Sequence, residues 1–236
     1  MAGASRGRSH WGLRTGTALA VLAMLPAFAN AQSKPTPEDE IAVVQRKPVL
    51  RKGRVEFAPE FGLTINDSLI QQFELGGKLN YHATEFLWFG GEFGWFDLGE
   101  LGGVTDEYFD VLDKTSSAPE VVELKWYAGA RVGLVPIYGK FAIFDSAIVY
   151  YDLSVTLGGG YLTHVTGIGE ETGAGAGEIG AQFRIFMNKW LALTASVNDR
   201  IAPVELQTGS TVAQFVTVNF GTSFFLPFGF EYSTAR

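Results

Sequence analysis

The chain has no cysteine, three histidines among its 236 residues, and a deficit of basic groups, with 18 Lys+Arg against 25 Asp+Glu. Without cysteine there are no disulfide staples and no thiolate metal sites. His10 lies in the N-terminal region, and His82 and His164 are too few to build a zinc site by themselves. A further absence is a long apolar run beyond the first thirty-one residues. The greasiest stretch, 86–96, is interrupted by Gly90, Gly91, Glu92 and Gly94, so it falls short of the roughly 20 apolar residues of a transmembrane helix.

The first segment is built for export. Arg6, Arg8 and Arg14 form a positive region, 17–28 is a short apolar run, and Ala29-Asn30-Ala31 is a small-x-small cleavage pattern. Residues 1–31 are therefore expected to be a secretory signal peptide, with Pro26 arguing against an uncleaved anchor. Its three arginines leave 15 Lys+Arg against 25 Asp+Glu in the remainder, a balance of −10. That sign argues against nucleic acid as a partner. Residues 32–53 read as a polar leader in which Glu38, Asp39 and Glu40 precede Arg46, Lys47, Arg51 and Lys52. Such a basic group can rest on anionic headgroups or simply be solvated.

The chain has 29 glycines and 19 phenylalanines, and from residue 54 onward it falls into period-two runs. In the last of them, 213–226, Val216, Val218, Phe220, Thr222, Phe224 and Leu226 alternate with Thr217, Asn219, Gly221 and Ser223. Similar runs at 54–65, 70–82, 87–95, 122–135, 148–163, 174–187 and 191–198 bring the expected strands to eight, each near the length that crosses a bilayer at a tilt. In the 122–135 run, Glu123, Lys125, Tyr127, Gly129 and Arg131 fall on one face, opposite Leu124, Trp126 and Ala128. Segments 97–120, 136–147, 164–173 and 199–212 read as connections. The second is apolar enough to suggest an amphipathic piece at a bilayer surface.

An eight-stranded barrel has an interior just wide enough for side chains. The bulky faces would overfill it, whereas glycines, alanines and short polar residues leave room for a few charges. The expectation is an all-β, eight-stranded, antiparallel up-and-down transmembrane barrel over 54–228, with a tail at 229–236. Tyr81, Trp95, Tyr161, Trp190 and Phe224 near the strand ends suit aromatic girdles. Outer-membrane lipid is the expected partner, in a Gram-negative bacterium.

The inward charges are Glu56, Glu60, Glu74, Lys78, Glu92, Glu123, Lys125, Arg131, Asp152, Glu178 and Arg184. In a narrow low-dielectric lumen such groups must pair, giving an ion-pair plug; a small polar channel is the alternative. Gly175, Gly177 and Gly180 fit a dinucleotide fingerprint but lack the strand–helix context and the downstream acid. Asp106, Asp110 and Asp113 lack EF-hand spacing and read as a solvated loop. His164 belongs to no recognisable triad, so a lipid-modifying enzyme ranks last. The expectation is a non-enzymatic chain that uses no metal or cofactor.

Four segments carry a family resemblance: 45–54 (Gln-Arg-Lys-Pro-Val-Leu-Arg-Lys-Gly-Arg), 136–141 (Pro-Ile-Tyr-Gly-Lys-Phe), 188–193 (Asn-Lys-Trp-Leu-Ala-Leu) and 223–227 (Ser-Phe-Phe-Leu-Pro). The chain resembles the small outer-membrane β-barrel proteins of myxobacteria and related deltaproteobacteria over nearly all of its length after the signal. Some of these are parts of the adventurous gliding-motility machinery, so the resemblance implies a structural or adaptor role in an envelope or motility complex. Asn219, Gly221, Phe224 and Leu226 also resemble the C-terminal signal read by the barrel-assembly machinery, although ten residues follow here rather than a terminal aromatic.

Overall fold

The computed structural model describes residues 49–143, 147–166, 169, 171–206 and 209–229. The expected signal peptide, the leader up to residue 48 and the tail from residue 230 lie outside the described residues.

Strands β1 (Val55–Thr64), β3 (Phe73–His82), β4 (Leu87–Trp95), β6 (Val122–Ile143), β7 (Ala147–Thr166), β8 (Glu171–Phe186), β9 (Leu191–Leu206) and β10 (Gly209–Leu226) close into a barrel in the order β1-β10-β9-β8-β7-β6-β4-β3. Every neighbouring pair is antiparallel. Two short strands, β2 (Ile70–Gln71) and β5 (Gly103–Val104), form a separate ladder at one rim.

The stagger of the wall can be read from cross-strand partners. Starting at Leu226 and passing through Val55, Tyr81, Phe89, Val132, Leu157, Ile179 and Asp199, the ladder returns to β10 at Val216, ten residues away. With strands about 4.8 Å apart and about 3.3 Å per residue, that shear tilts the strands by about 40°. Each residue then rises about 2.5 Å, and ten residues span an apolar band of about 25 Å.

Phe57, Phe61, Leu75, Leu79, Phe89, Phe93, Val155, Leu157, Ile179 and Phe220 are exposed around this band. A monomer in water rarely tolerates so extensive an apolar surface, whereas hydrocarbon matches it. The barrel is therefore of the transmembrane kind, with the bulky face outward. Trp126 packs beside Tyr161 at 6.0 Å between ring centroids on one margin; Trp190 packs beside Phe224 at 6.3 Å and Phe228 at 5.3 Å on the other.

The strands outrun the expected boundaries. Residues 136–143 are not an irregular surface piece; they continue β6 beyond its pairing with β4 as a strand laddered to β7, and 147–149 of β7 extend with them past the last β7–β8 pair at the rim where Val55 and Leu226 lie. Pro136 sits where β6 leaves its partner β4, within a register shift between Leu134 and Ile137. Proline is tolerated there because a bulge at a strand edge needs no further N–H. At the opposite rim, 164–166 belongs to β7, 171–173 to β8, 199–206 to β9 and 209–212 to β10, where connections were expected. The long break at 97–120 contains a 3-10 turn, Gly99–Leu101, the strand β5 and a helix, α1 (Asp106–Thr115). Asp106 and Glu107 lie in the first turn of α1 and Lys114 in its last, matching the helix dipole, but the helix buries no residue.

Candidate functional site: a sealed, charged lumen

Inward positions of the strands converge on the barrel axis, where a side chain meets others from across the wall rather than water. Nine of the eleven expected lumen charges are buried there: Glu56, Glu60, Glu74, Lys78, Glu92, Arg131, Asp152, Glu178 and Arg184.

Nearest the terminal rim, Glu56 accepts from Arg184 at 2.7 Å, Ser223 at 2.6 Å and Asn80 at 3.2 Å, and lies 2.9 Å from His82 Nε2. Arg184 also donates through Nε to Asp152 at 2.8 Å. In the middle, Lys78 pairs with Glu60 at 2.5 Å and donates to Ser196 at 2.9 Å, while Arg131 lies 3.2 Å from Glu92. Farther up, Arg200 meets Glu74, Glu178 and Glu92 at 3.2, 3.0 and 3.5 Å.

Close packing of this layer depends on bare backbone. A Cβ added at Gly94 would collide with Glu74, and one at Gly133 with the inward ring of Trp88, over which Arg131 lies at 5.0 Å. Glycines on the polar face thus make room for the charged and aromatic groups opposite.

Glu123 and Lys125 do not join the lumen. A register shift between Leu124 and Trp126 adds one residue to β6, which reverses the facing of everything before it. Leu124 is consequently buried, and Glu123 and Lys125 pair with each other at 3.7 Å at the loop-side rim, where Lys125 also meets Asp97 at 3.4 Å. They line an open cleft of about 240 Å³ with Gln72, Phe96 and Leu124.

Arg200, Arg51, Arg54 and His82 are lumen residues that the sequence reading missed. Arg200 continues the inward series Ser196, Asn198, Arg200 on β9, within the 199–212 segment expected to be a connection. Arg51 precedes the first strand, and its burial depends on contacts distant in sequence. Its guanidinium pairs with Asp152 and donates to the Glu85 carbonyl at 2.9 Å. Arg54 donates to the carbonyls of Leu50, Lys189, Phe225 and Pro227 at 2.7–3.0 Å. Among the described residues, six buried carboxylates are accompanied by six buried cations: Lys78, Arg131, Arg184 and Arg200 on the strands, and Arg51 and Arg54 just ahead of β1.

The charged layer has an apolar layer at each end. On the terminal side Phe186, Ala192 and Phe225 are buried together, with Val49 and Tyr150 against them. On the loop side Phe96, Leu124, Tyr127, Leu162, Ala176, Ala202, Val204 and Phe215 form one buried cluster. Water-filled conduction would have to cross both layers.

The expected assembly-signal residues straddle the wall. Asn219 points inward and donates to Glu74 at 2.8 Å, Gly221 faces Glu60, and Phe224 and Leu226 point outward. Gly175, Gly177 and Gly180 lie along β8, so no strand–turn–helix surrounds them.

No protein-family model matches the sequence, and no curated protein matches it. Among solved structures, the chain is similar to the N-terminal β-barrel domain of OprF from Pseudomonas aeruginosa, at 12% identity over 73% of this chain and 98% of that one, TM-score 0.36. It is also similar to Ail, the attachment invasion locus protein of Yersinia pestis, at 13% identity over 74% and 99%, TM-score 0.40. Neisserial surface protein A matches at 11% identity over 74% and 96%, TM-score 0.43. At these scores the fold rests on the chain's own closed ladder.

Proposed function

We propose that this chain is an outer-membrane barrel of a Gram-negative bacterium acting as a closed, non-enzymatic structural or adaptor component of the cell envelope. The observation that carries this reading is the layered interior, a paired charged middle between two apolar seals. A pore would need a continuous wet path, and a hydrolase would need a nucleophile and base facing a substrate cleft.

The described ends of the chain, residues 49 and 229, share one rim with the 83–86 and 187–190 turns, while the long 96–121 connection lies at the other rim with the short connections 167–170 and 207–208. That asymmetry supports a periplasmic terminal end and an extracellular loop end. Asn219, Gly221, Phe224 and Leu226 support handover to the barrel-assembly machinery. The resemblance to myxobacterial barrels supports an envelope complex of the gliding-motility kind as the setting.

Purified protein in planar bilayers tests the closed state. The expected result is electrical silence; steady conductance that changes on Arg131→Ala or Glu92→Ala would replace the adaptor with a channel. Location is tested by fractionation with gel migration before and after boiling. Recovery in the soluble periplasm with migration unaffected by boiling would overturn the membrane assignment.

A further inference from the structure

At the loop-side rim the barrel wall parts between β8 and β9. Their ladder runs from Phe186 and Ala192 to Gly177 and Ile201 and stops there. β8 nevertheless continues through 171–176 paired with β7, and β9 through 202–206 paired with β10. Pro203 accounts for the parting, since it has no N–H to offer and belongs on an edge. Two strand edges are left flanking a slit just above the apolar band.

Other edges at this rim are covered. The Gln72 side chain donates to the Val122 carbonyl at 3.1 Å and accepts from the Leu124 N–H at 2.6 Å, standing in for a strand beside β6. Asn66 does the same for β10, donating to the Gln214 carbonyl at 2.7 Å and accepting from the Val216 N–H at 2.8 Å. Among the described residues no side chain does this for 171–176.

The β8 edge is also bare. Gly173, Gly175 and Gly177 occupy its exposed outward positions, and a side chain at Gly175 or Gly177 would meet open space. Its inward residues Ala174 and Ala176 adjoin the apolar layer with Ala202 and Val204. Glu171 and Glu205 stand exposed on the two flanks.

We propose that 171–176 of β8 is a docking edge for an extended segment of a partner protein, which adds to the sheet as a strand with apolar and basic residues alternating. The open main-chain groups need donors and acceptors in register, which an extended peptide offers and a lipid chain does not. The apolar residues of the segment would face Ala174 and Val204, and its basic residues would answer Glu171 and Glu205. This inference rests on the adaptor reading and gives it a contact surface.

The test uses the full folded chain in nanodiscs and a fluorescein-labelled peptide alternating valine and lysine, followed by anisotropy. Saturable binding is expected, and it should weaken by roughly tenfold when Ala174→Cys and Val204→Cys, which would be partners if the ladder continued, are joined by oxidation. Reduction should restore it. A bulky maleimide adduct on Gly175→Cys should weaken binding in a second, crosslink-independent way. Absence of saturable binding at millimolar peptide overturns the proposal. So does binding that survives both blocks, or that a proline-interrupted peptide of the same charge shares, because the attraction would then be general charge or the lipid surface. Electrical silence together with failed peptide binding would remove this edge and leave the closed-barrel reading standing.

Discussion

Arg200 holds Glu74 with a two-point grip: Nη1 and Nη2 each donate to one carboxylate oxygen at 3.2 Å. The same guanidinium lies 4.5 Å from the ring centroid of Tyr127 and donates to Glu178 at 3.0 Å, so one side chain ties β9 to β3, β6 and β8. A planar fork suits this position better than an ammonium group.

Arg200→Ala removes the cation paired with buried Glu74 and Glu178 and leaves Glu92 with its nearer partner Arg131. Breaking a buried pair from one side costs about 3–5 kcal/mol, because the remaining charges stay in the interior without compensation. The expected outcome is a lower urea midpoint in detergent and a lower temperature at which the folded gel band is lost. Arg200→Lys should fall between Ala and the native residue, since it keeps the charge and loses the fork.

The N-terminal approach to the barrel should be protected by the lumen. Arg51 is buried against Asp152, and the backbone N–H groups of Arg51 and Lys52 donate to the Glu85 carboxylate. Trypsin is therefore expected to cut slowly after Arg51 and Lys52 in the folded protein. Asp152→Ala should accelerate that cleavage, because the arginine loses its buried partner. Equal cleavage rates in the two proteins would show that Asp152 does not hold this segment.

The period-two pattern made the barrel legible because lipid and a narrow lumen impose opposite demands on alternate residues. It revealed nine lumen charges and the outward face of β10. It could not reveal the shift at Lys125, since an extra residue in a strand leaves the composition of the run unchanged while reversing its facing. Nor could it follow β9 past Asn198, because Asp199, Arg200 and Pro203 carry local turn signals that the neighbouring strand β10 overrides. Arg51 was hidden for another reason. Nothing near it in sequence records that Asp152, about a hundred residues away, lies against it.

The relocation of Glu123 and Lys125 to the rim has a measurable consequence. Exposed or half-exposed pairs contribute about 0–1 kcal/mol, so the double change Glu123→Ala with Lys125→Ala should barely move the urea midpoint. Glu60→Ala, which strips Lys78 of its carboxylate inside the lumen, should move it by several times as much. Equal effects would return the β6 residues to the interior and remove the register shift.

Leu157 and Val212 are both strongly exposed, at 62% and 68%, yet they lie on different parts of the wall. Leu157 is on β7 between Tyr151 and Tyr161, near the middle of the apolar band, whereas Val212 is on β10 beyond the band, paired with Pro203. A lipid-facing arginine near the midplane costs about 2–4 kcal/mol, and a surface substitution in water usually stays within about 0.5 kcal/mol. Leu157→Arg should therefore destabilise the barrel in lipid vesicles markedly, and Val212→Arg should leave it nearly unchanged. The contrast should shrink in a solvent-exposed setting, because the cost at Leu157 comes from hydrocarbon rather than from any neighbour in the fold. Matched effects at the two sites in vesicles would mean that the band does not end below residue 212, and the slit between β8 and β9 would then lie within the membrane.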